Sequence, residues 1–225
     1  MINLEILFEN RDFVIINKEP FIPSQADLSG DDDAMTLTSR ALKEMGESDK
    51  LWLVHRLDRV VGGLLVFARS QRTAAALSSL AACGGIEKHY LAVCEGDAPG
   101  GEMRDFIIKD AKQKKAFIID SARKGAKEAL LEYRKLSSKN DLSFVEIDLK
   151  TGRFHQIRAQ FSSRKLSLVG DKKYGSRDGK SREPALFAYK LSFELFGIKY
   201  SFSAAPDCKK YPWSLFENEV LEKIK

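Results

Sequence analysis

The sequence predicts an α+β fold made mostly of β-sheet, on the basis of two observations. Short apolar or alternating segments, separated by residues suited to turns, recur along much of the chain, as is typical of antiparallel sheets. Helical spacing of apolar residues is confined to a few interspersed segments. The length of 225 residues fits one domain. We therefore expect a single domain over residues 1–225, with no appended module at either end.

The strands are predicted from runs of apolar and β-branched residues bounded by turn signals. Two short strands around a polar turn are expected within Ile6–Lys18, closed by Pro20 and Pro23. The apolar run Leu64–Ala68 predicts a buried strand. Further strands are predicted at Tyr90–Val93, Leu130–Tyr133, Phe144–Leu149 and Leu186–Phe193.

Helices are predicted where apolar spacing meets a capping residue. An exposed acidic loop at Asp31-Asp32-Asp33 leads to a helix over Thr36–Met45, with Thr36 or Thr38 as its cap and Gly46 at its end. Ser70 caps an alanine-rich helix through Ala82, which Gly84-Gly85 stops. Two more helices are predicted, at His155–Lys165 and at Trp213–Ile224 after Pro212.

The charge of the chain points weakly towards a polyanionic partner. The formal net charge is +5 and the pI is about 9.0, and such an excess favours polyanions when it is gathered on one face. Basic residues concentrate in Lys109–Lys127 and Arg164–Arg182, and both segments contain residues suited to turns and loops. Each segment is therefore either a solvated charged surface or a surface that contacts phosphates.

Several classes of protein are disfavoured by the sequence. No apolar run approaches the roughly 18 residues of a membrane helix, and the N-terminus lacks the features of a signal peptide. We therefore expect a cytoplasmic protein without a membrane partner. Cys83, Cys94 and Cys208 are widely separated, which argues against a disulfide framework and a zinc site. Because the chain has only three histidines, we expect no catalytic metal.

One carboxylate lies in a sequence context suited to catalysis. In His55-Arg56-Leu57-Asp58-Arg59, Asp58 is flanked by cations that favour its ionised form, and Gly62-Gly63 follow closely and allow a tight turn before the buried strand. Taken alone, this pattern is more often a structural ion-pair network than an active site with a nucleophile or a base.

Further motifs make the functional interpretation more specific. Lys88-His89-Tyr90 precedes a predicted strand, and Thr151-Gly152-Arg153-Phe154-His155-Gln156-Ile157-Arg158 leads into a predicted helix. Leu168–Gly175 contains a Gly-Asp-x-x-Tyr-Gly turn. Together with His55–Ala68 and the opening segment Phe13–Pro23, these motifs resemble the RluA-type RNA pseudouridine synthases in order and in separation. Several elements in the right order are more specific than any one of them.

The resemblance implies the pseudouridine synthase fold: a bent, mixed, mostly antiparallel sheet in two lobes, with helices outside and a basic cleft between the lobes. It also implies isomerisation of uridine in ribosomal or transfer RNA without a cofactor or metal, and we expect a monomer. Asp58 is then the catalytic carboxylate, which acts either on the base or at the sugar. Tyr90 stacks on the uracil and helps to remove the C5 proton, and Arg158 pairs with Asp58.

The resemblance further implies RNA contacts. Arg56 would fill the space that the extruded nucleotide vacates, and the other candidate RNA-binding residues are Lys88, Arg153, His155 and Gln156. Each assignment has a structural alternative: Tyr90 as a core tyrosine, Arg158 as a helix brace, His155 and Gln156 as supports of their loop, and Lys88 as a structural lysine.

Two departures from the family pattern leave alternatives open. Val61-Gly62-Gly63 stands where the family usually has Thr-Ser-Gly, so two hydroxyls near the catalytic loop are missing. Glu19-Pro20-Phe21 replaces the usual Pro-Ala-Gly. The first departure motivates an alternative, an RNA-binding or RNA-folding protein that has lost turnover. A hydrolase that uses Asp58 as its base is a third hypothesis.

Overall fold

The computed structural model describes residues 4–224, which divide into two compact units. Unit 1 comprises the described residues up to Glu87 together with Lys190–Ala204, and unit 2 comprises Lys88–Tyr189 and the described residues from Ala205 onwards. Both units contain antiparallel strands and helices, so the predicted α+β class with a mostly antiparallel sheet is confirmed. No helix in the described part of the chain is long and apolar enough to span a membrane.

The strands of unit 1 are β1 (Glu5–Glu9), β2 (Phe13–Lys18), β3 (Trp52–Leu53), β4 (Gly62–Ala68), the Lys190–Leu195 part of β10 (Leu186–Leu195) and β11 (Ile198–Ser203). They are hydrogen-bonded in the order β1-β2-β4-β10. β2 pairs antiparallel with β1 and β4, β3 pairs antiparallel with β4, and β11 pairs antiparallel with β10. The β4 residues are all buried, which confirms the apolar strand predicted at Leu64–Ala68. The sequence patterns gave no indication of β11, where exposed and half-buried residues alternate.

Two helices of unit 1, α1 (Ala34–Glu44) and α2 (Gln71–Ala82), begin at capped ends. Ser70 caps α2 as predicted, because its hydroxyl accepts the backbone N–H of Thr73. The predicted cap of α1 was wrong. Asp33 caps it by accepting the N–H of Thr36 at 3.0 Å and the hydroxyl of Thr36 at 2.7 Å, so Asp33 is buried rather than part of an exposed loop.

The elements of unit 2 are β5 (Ile86–Glu95, from Lys88 onwards), β6 (Gly101–Asp110), β7 (Lys115–Ile119), β8 (Lys127–Lys139), β9 (Leu142–Leu149), α3 (Gln156–Ser163) and α4 (Glu217–Ile224). These strands pair antiparallel in the order β5-β9-β8-β6-β7. The basic segment Lys109–Lys127, noted in the sequence for its residues suited to turns and loops, contains β7 and the end of β6. No strand was predicted there because lysines flank the short apolar run of β7, in which Ala116 is buried against Ile107 of β6.

The C-terminal helix is shorter than predicted. Trp213–Leu215 forms a separate 3-10 turn after Pro212, and α4 begins only at Glu217. The side chain of Lys223 on α4 donates to Glu146 on β9 at 2.8 Å. Glu146 also accepts from Arg134 and Tyr189. Burial alone would raise the pKa of Glu146, but these hydrogen bonds lower it to about 2. The charge cluster thus attaches the helix to the sheet of unit 2.

Candidate active site

Asp58 lies in unit 1, in a turn that connects the short β3 to β4. The backbone carbonyl of Asp58 accepts the N–H of Val61 at 3.0 Å, which closes the turn just before the glycines that open β4. We call His55–Val61 the Asp58 loop. Leu57 and Val61 are buried, Asp58 is half-buried and Arg56 is exposed. The loop therefore presents alternate side chains to the core and to solvent.

The ammonium of Lys18 supports the Asp58 loop from inside the unit. Lys18 has no exposed surface, and its Nζ donates to the carbonyls of Ile22 at 2.8 Å, Glu19 at 3.0 Å and Arg59 at 3.3 Å. Burial lowers the pKa of Lys18 to about 7, although the charge of Asp58 raises it in part. The end of β2 and the Asp58 loop are thus joined through one buried cation.

A second connection joins the residues that follow β2 to the Asp58 loop. The hydroxyl of Ser24 accepts the N–H of Leu57 at 3.0 Å and donates to the carbonyl of Leu57 at 2.9 Å. Arg59 points its guanidinium towards the acidic loop, where it bonds to Asp31 and, at 3.0 Å, to Ser29. Arg59 is therefore engaged in the ion-pair network that the sequence offered as an alternative, while Asp58 itself sits on a turn fixed from both sides.

Arg158, Tyr90 and the remaining candidates lie in unit 2. Arg158 is in the first turn of α3 and is 5% exposed. Its Nε and a terminal nitrogen donate to the two carboxylate oxygens of Asp171 at 2.6 and 2.8 Å, a bidentate geometry. The guanidinium carbon also lies 5.0 Å from the centre of the Tyr174 ring. The predicted pairing of Arg158 with Asp58 joins residues of different units and stays a prediction.

Asp171 and Tyr174 are held by the Gly-Asp-x-x-Tyr-Gly turn. Gly170 has a φ of +80°, and a Cβ there would stand 2.2 Å from the carbonyl oxygen of Glu183, so only glycine fits. The hydroxyl of Tyr174 accepts the N–H of Ala116 at 2.7 Å and lies 3.0 Å from Nδ1 of His155. We call Arg158, Asp171, Tyr174 and His155 the Arg158 cluster.

His155 has the geometry of a structural residue. It occupies the N-cap position of α3 with a φ of +52° and stacks on Phe154 with ring centres 3.8 Å apart. Burial, followed by the charge of Arg158, lowers its pKa to about 3. The low pKa favours the neutral imidazole near neutral pH, and an RNA contact by His155 stays a prediction.

The loop before α3 is braced by Gln156. Its amide oxygen accepts from the hydroxyl of Thr151 at 2.8 Å and from the N–H of Arg153 at 3.0 Å, and its amide nitrogen donates to the carbonyl of Leu130 at 3.1 Å. These bonds give Gln156 a supporting role in the loop. An RNA contact by this buried side chain stays a prediction.

Tyr90, Lys88 and Arg153 occupy the neighbouring strand and loop of unit 2. Tyr90 lies on β5, is 6% exposed and faces Ile147 of β9 in the antiparallel register. The ammonium of Lys88 lies 3.6 Å from the position of a Cβ on Gly152. Burial and the charge of Arg153 lower the pKa of Lys88. Two cations thus lie close together at the Thr-Gly-Arg element.

Two supporting residues were not recognised as part of the site from the sequence. Lys18 looked like the polar end of a strand, and Asp171 was noted only as a member of its turn. A signal existed for Asp171, because a buried arginine needs a carboxylate partner and Asp171 follows Arg158 closely in the chain. For Lys18 no local pattern reveals the carbonyls that surround it.

Comparison with known proteins identifies the family. Residues 12–163, more than half of the chain, match the family model of RNA pseudouridylate synthase. The chain belongs to this family. The resemblance to RluA-type pseudouridine synthases is therefore confirmed, and the motifs with Asp58, Tyr90 and Arg158 all lie within the matched residues.

Relatives of this pseudouridine synthase chain occur in several bacteria. It is 28% identical to the ribosomal large subunit pseudouridine synthase D of Borreliella burgdorferi over 89% of this chain and 64% of that one. It is 29% identical to an RNA pseudouridine synthase of Haemophilus influenzae, over 90% of this chain and 88% of that one. It is 31% identical to the RNA pseudouridine synthase YhcT of Bacillus subtilis, over 84% and 63%. The chain thus spans under two thirds of two of these relatives.

A solved structure supports the fold of this family member. The human RNA pseudouridylate synthase domain containing 4 matches with a TM-score of 0.75 and 22% identity, over 90% of this chain and 89% of that one. At this identity the likeness concerns the fold alone, and it confirms the predicted pseudouridine synthase fold.

Proposed function

We propose that this chain isomerises uridine to pseudouridine in RNA, with Asp58 as its catalytic carboxylate. The observation that carries the proposal is the family match over residues that include the motifs of Asp58, Tyr90 and Arg158. The firm attachment of the Asp58 loop through Lys18 and Ser24 supports it, because a catalytic group acts best from a rigid position.

The reaction breaks the bond between ribose and uracil N1 and joins the sugar to C5 of the same base. Because the target atoms are shielded by stacking, the nucleotide has to be turned outward. Asp58 acts on the exposed nucleotide, either by adding to the base or by assisting departure at the sugar. Arg56, which is exposed on the same loop, occupies the vacated space.

The other catalytic roles follow the family pattern. Tyr90 stacks on the uracil, an interaction worth roughly 1–3 kcal/mol per base, and assists removal of the C5 proton. In this proposal Arg158, oriented by Asp171, pairs with Asp58 and keeps it ionised. Lys88 and Arg153 contribute positive charge for phosphates, which provide most of the sequence-independent affinity for RNA.

Ribosomal RNA is the substrate class that we propose, in the cytoplasm. The relatives from Borreliella burgdorferi and Zymomonas mobilis are each a ribosomal large subunit pseudouridine synthase D. This support favours ribosomal over transfer RNA, and it favours a synthase over a protein that binds RNA without turnover.

The proposal is tested by tritium release from ribosomal RNA transcribed with [5-³H]uridine. Asp58→Asn and Asp58→Ala should lower the rate by a factor of roughly 10³, while RNA affinity is largely retained. Asp32→Asn, which removes an exposed carboxylate paired with Arg40, is the control and should leave the rate unchanged. Unchanged tritium release by the Asp58 variants would show that Asp58 is not the catalytic carboxylate. Tight RNA binding by a wild-type protein that releases no tritium would support the alternative of an RNA-binding or RNA-folding protein without turnover.

A further inference from the structure

Phe21 has an unusual backbone conformation beside the Asp58 loop. Its φ is +69°, in the left-handed region, and its residue surface is 46% exposed. A bulky residue rarely adopts a positive φ. Pro20 followed by such a residue is the arrangement of a type II turn, in which glycine normally takes the second central position. The family pattern has glycine here, so this chain keeps the turn but places an aromatic ring on it.

The turn that contains Phe21 is held at both ends. The carbonyls of Glu19 and Ile22, on either side of it, both accept from the ammonium of Lys18. Ile22 is buried. Because the flanking residues are fixed, Phe21 cannot relax to a negative φ without breaking these bonds, and its ring is held outward. Strained residues of this kind persist where the surroundings fix them, commonly at binding sites.

The turn is also attached to the catalytic loop. Lys18 donates to the carbonyl of Arg59 as well, and Ser24 bonds to both backbone groups of Leu57. The ring of Phe21 is therefore displayed from the same rigid base as Asp58 and the exposed Arg56. An exposed ring and an exposed cation on one rigid base provide the two elements that bind single-stranded nucleic acid, a stacking surface and a phosphate contact.

A second exposed phenylalanine of unit 1, Phe196, differs from Phe21 in what its ring contacts. Phe196 has a φ of +51° and is 50% exposed, but it lies in the β10–β11 turn and the guanidinium of Arg72 stands 5.0 Å from its ring centre. In the described residues of unit 1, no ring or cation stacks on Phe21 in this way. The Phe21 ring is thus open to an external partner.

We propose that Phe21 stacks on an unpaired base of the substrate RNA close to the target uridine. This inference rests on the proposed function and adds a base contact that the family glycine could not make. One ring is too small a surface for a stable protein partner but is sufficient for one base. Because every base has a flat face, the contact strengthens binding without selecting a base.

The test compares Phe21→Asn with Phe21→Trp. Asparagine tolerates a positive φ and removes the ring, whereas tryptophan keeps an aromatic face. We expect Phe21→Asn to raise KM for tritium release from ribosomal RNA, and the Kd for a fluorescein-labelled decauridylate, by roughly 5- to 100-fold with little change in kcat. Phe21→Trp should retain wild-type values, and its added fluorescence should be quenched when decauridylate binds.

Phe196→Asn is the matched control, because it removes an equally exposed ring from a turn with positive φ; it should leave KM and Kd unchanged. If Phe21→Asn matches the wild type in KM and Kd, or if Phe196→Asn weakens binding equally, the stacking proposal is wrong. A failure of the proposed function can be told apart from a failure of the stacking proposal. In the first case the wild-type protein releases no tritium, and the Kd for decauridylate still measures the contribution of the Phe21 ring. Thermal unfolding of each variant confirms that it is folded.

Discussion

The Asp58 loop of unit 1 and the Arg158 cluster of unit 2 each hold charged groups in fixed positions, but by different means. Beneath the Asp58 loop, the Lys18 ammonium is surrounded by backbone carbonyls. In the Arg158 cluster, a buried guanidinium is matched by the carboxylate of Asp171. The first region hydrogen-bonds a buried cation to backbone carbonyls, with the charge of Asp58 acting on it in addition, whereas the second buries a bidentate ion pair.

The difference has consequences for pH. Dipoles only partly replace water around a buried ammonium, so burial lowers the pKa of Lys18 to about 7. A guanidinium stays protonated in proteins, and its bidentate partner compensates its burial. The Asp58 loop is therefore sensitive to pH near neutrality through Lys18, whereas the support of Arg158 depends on keeping both partners of its ion pair.

Removing one partner of the buried pair should give the largest effect on stability. Asp171→Asn leaves Arg158 buried without its carboxylate, and breaking such a pair costs roughly 3–5 kcal/mol. We expect a fall of that size in the free energy of unfolding, measured by urea denaturation, together with a lower kcat for tritium release because Arg158 loses its orientation.

The control for Asp171→Asn is Glu128→Gln, which breaks an exposed pair with Arg104. Exposed pairs contribute at most about 1 kcal/mol, so this variant should be close to the wild type. Equal stability of the two variants would contradict the interpretation of Asp171 and Arg158 as a buried support.

Replacing Lys18 tests the pH sensitivity of the Asp58 loop. The pKa of Lys18 is about 7 in the folded chain, whereas an ordinary exposed lysine has a pKa of 10.5. Between these values the unfolded chain binds more protons at Lys18, so the free energy of unfolding should rise with pH, by about 2 kcal/mol from pH 7 to pH 9. Lys18→Met should lose this increment in urea denaturation at several pH values.

A charge control accompanies Lys18→Met. Lys43→Met removes a positive charge at an exposed position in the last turn of α1, and it should keep the rise between pH 7 and pH 9. If Lys18→Met keeps the same rise as the wild type, the ammonium is not the pH-sensitive element of the loop.

The sequence predicted local structure best where one segment carries its own signal. The apolar run of β4 and the Ser70 cap of α2 were predicted from a few adjacent residues. The cap of α1 was assigned to threonine because the pattern does not show which oxygen reaches the first N–H groups; Asp33 does so. β7 was missed because the lysines at and before its start resemble those of a loop, although Ala116 is buried.

The residues of the candidate site, too, were predicted only where a local motif contains them. Resemblance identified Asp58, Tyr90 and Arg158, which belong to recognisable motifs. Lys18 donates to the carbonyl of Arg59, 41 residues away in sequence, and no local pattern encodes this contact. The residues that support the candidate catalytic groups therefore depend on the folded chain, whereas the candidate catalytic residues themselves were predicted from motifs.

The smallest expected effect separates the two contributions of Tyr174 to the Arg158 cluster. Tyr174→Phe removes the hydroxyl that accepts from Ala116 but keeps the ring beside Arg158. A buried N–H without a partner costs about 1 kcal/mol or slightly more, so urea denaturation should show a loss of this size in the free energy of unfolding, with kcat nearly unchanged.

Tyr174→Leu also removes the ring and should lower kcat further if the ring orients the guanidinium of Arg158. Tyr200→Phe is the control for loss of a tyrosine hydroxyl, because the Tyr200 ring packs against Phe13 in unit 1. A large fall in kcat for Tyr174→Phe would instead assign the orientation of Arg158 to the hydroxyl network with His155, and the ion pair would no longer be its main support.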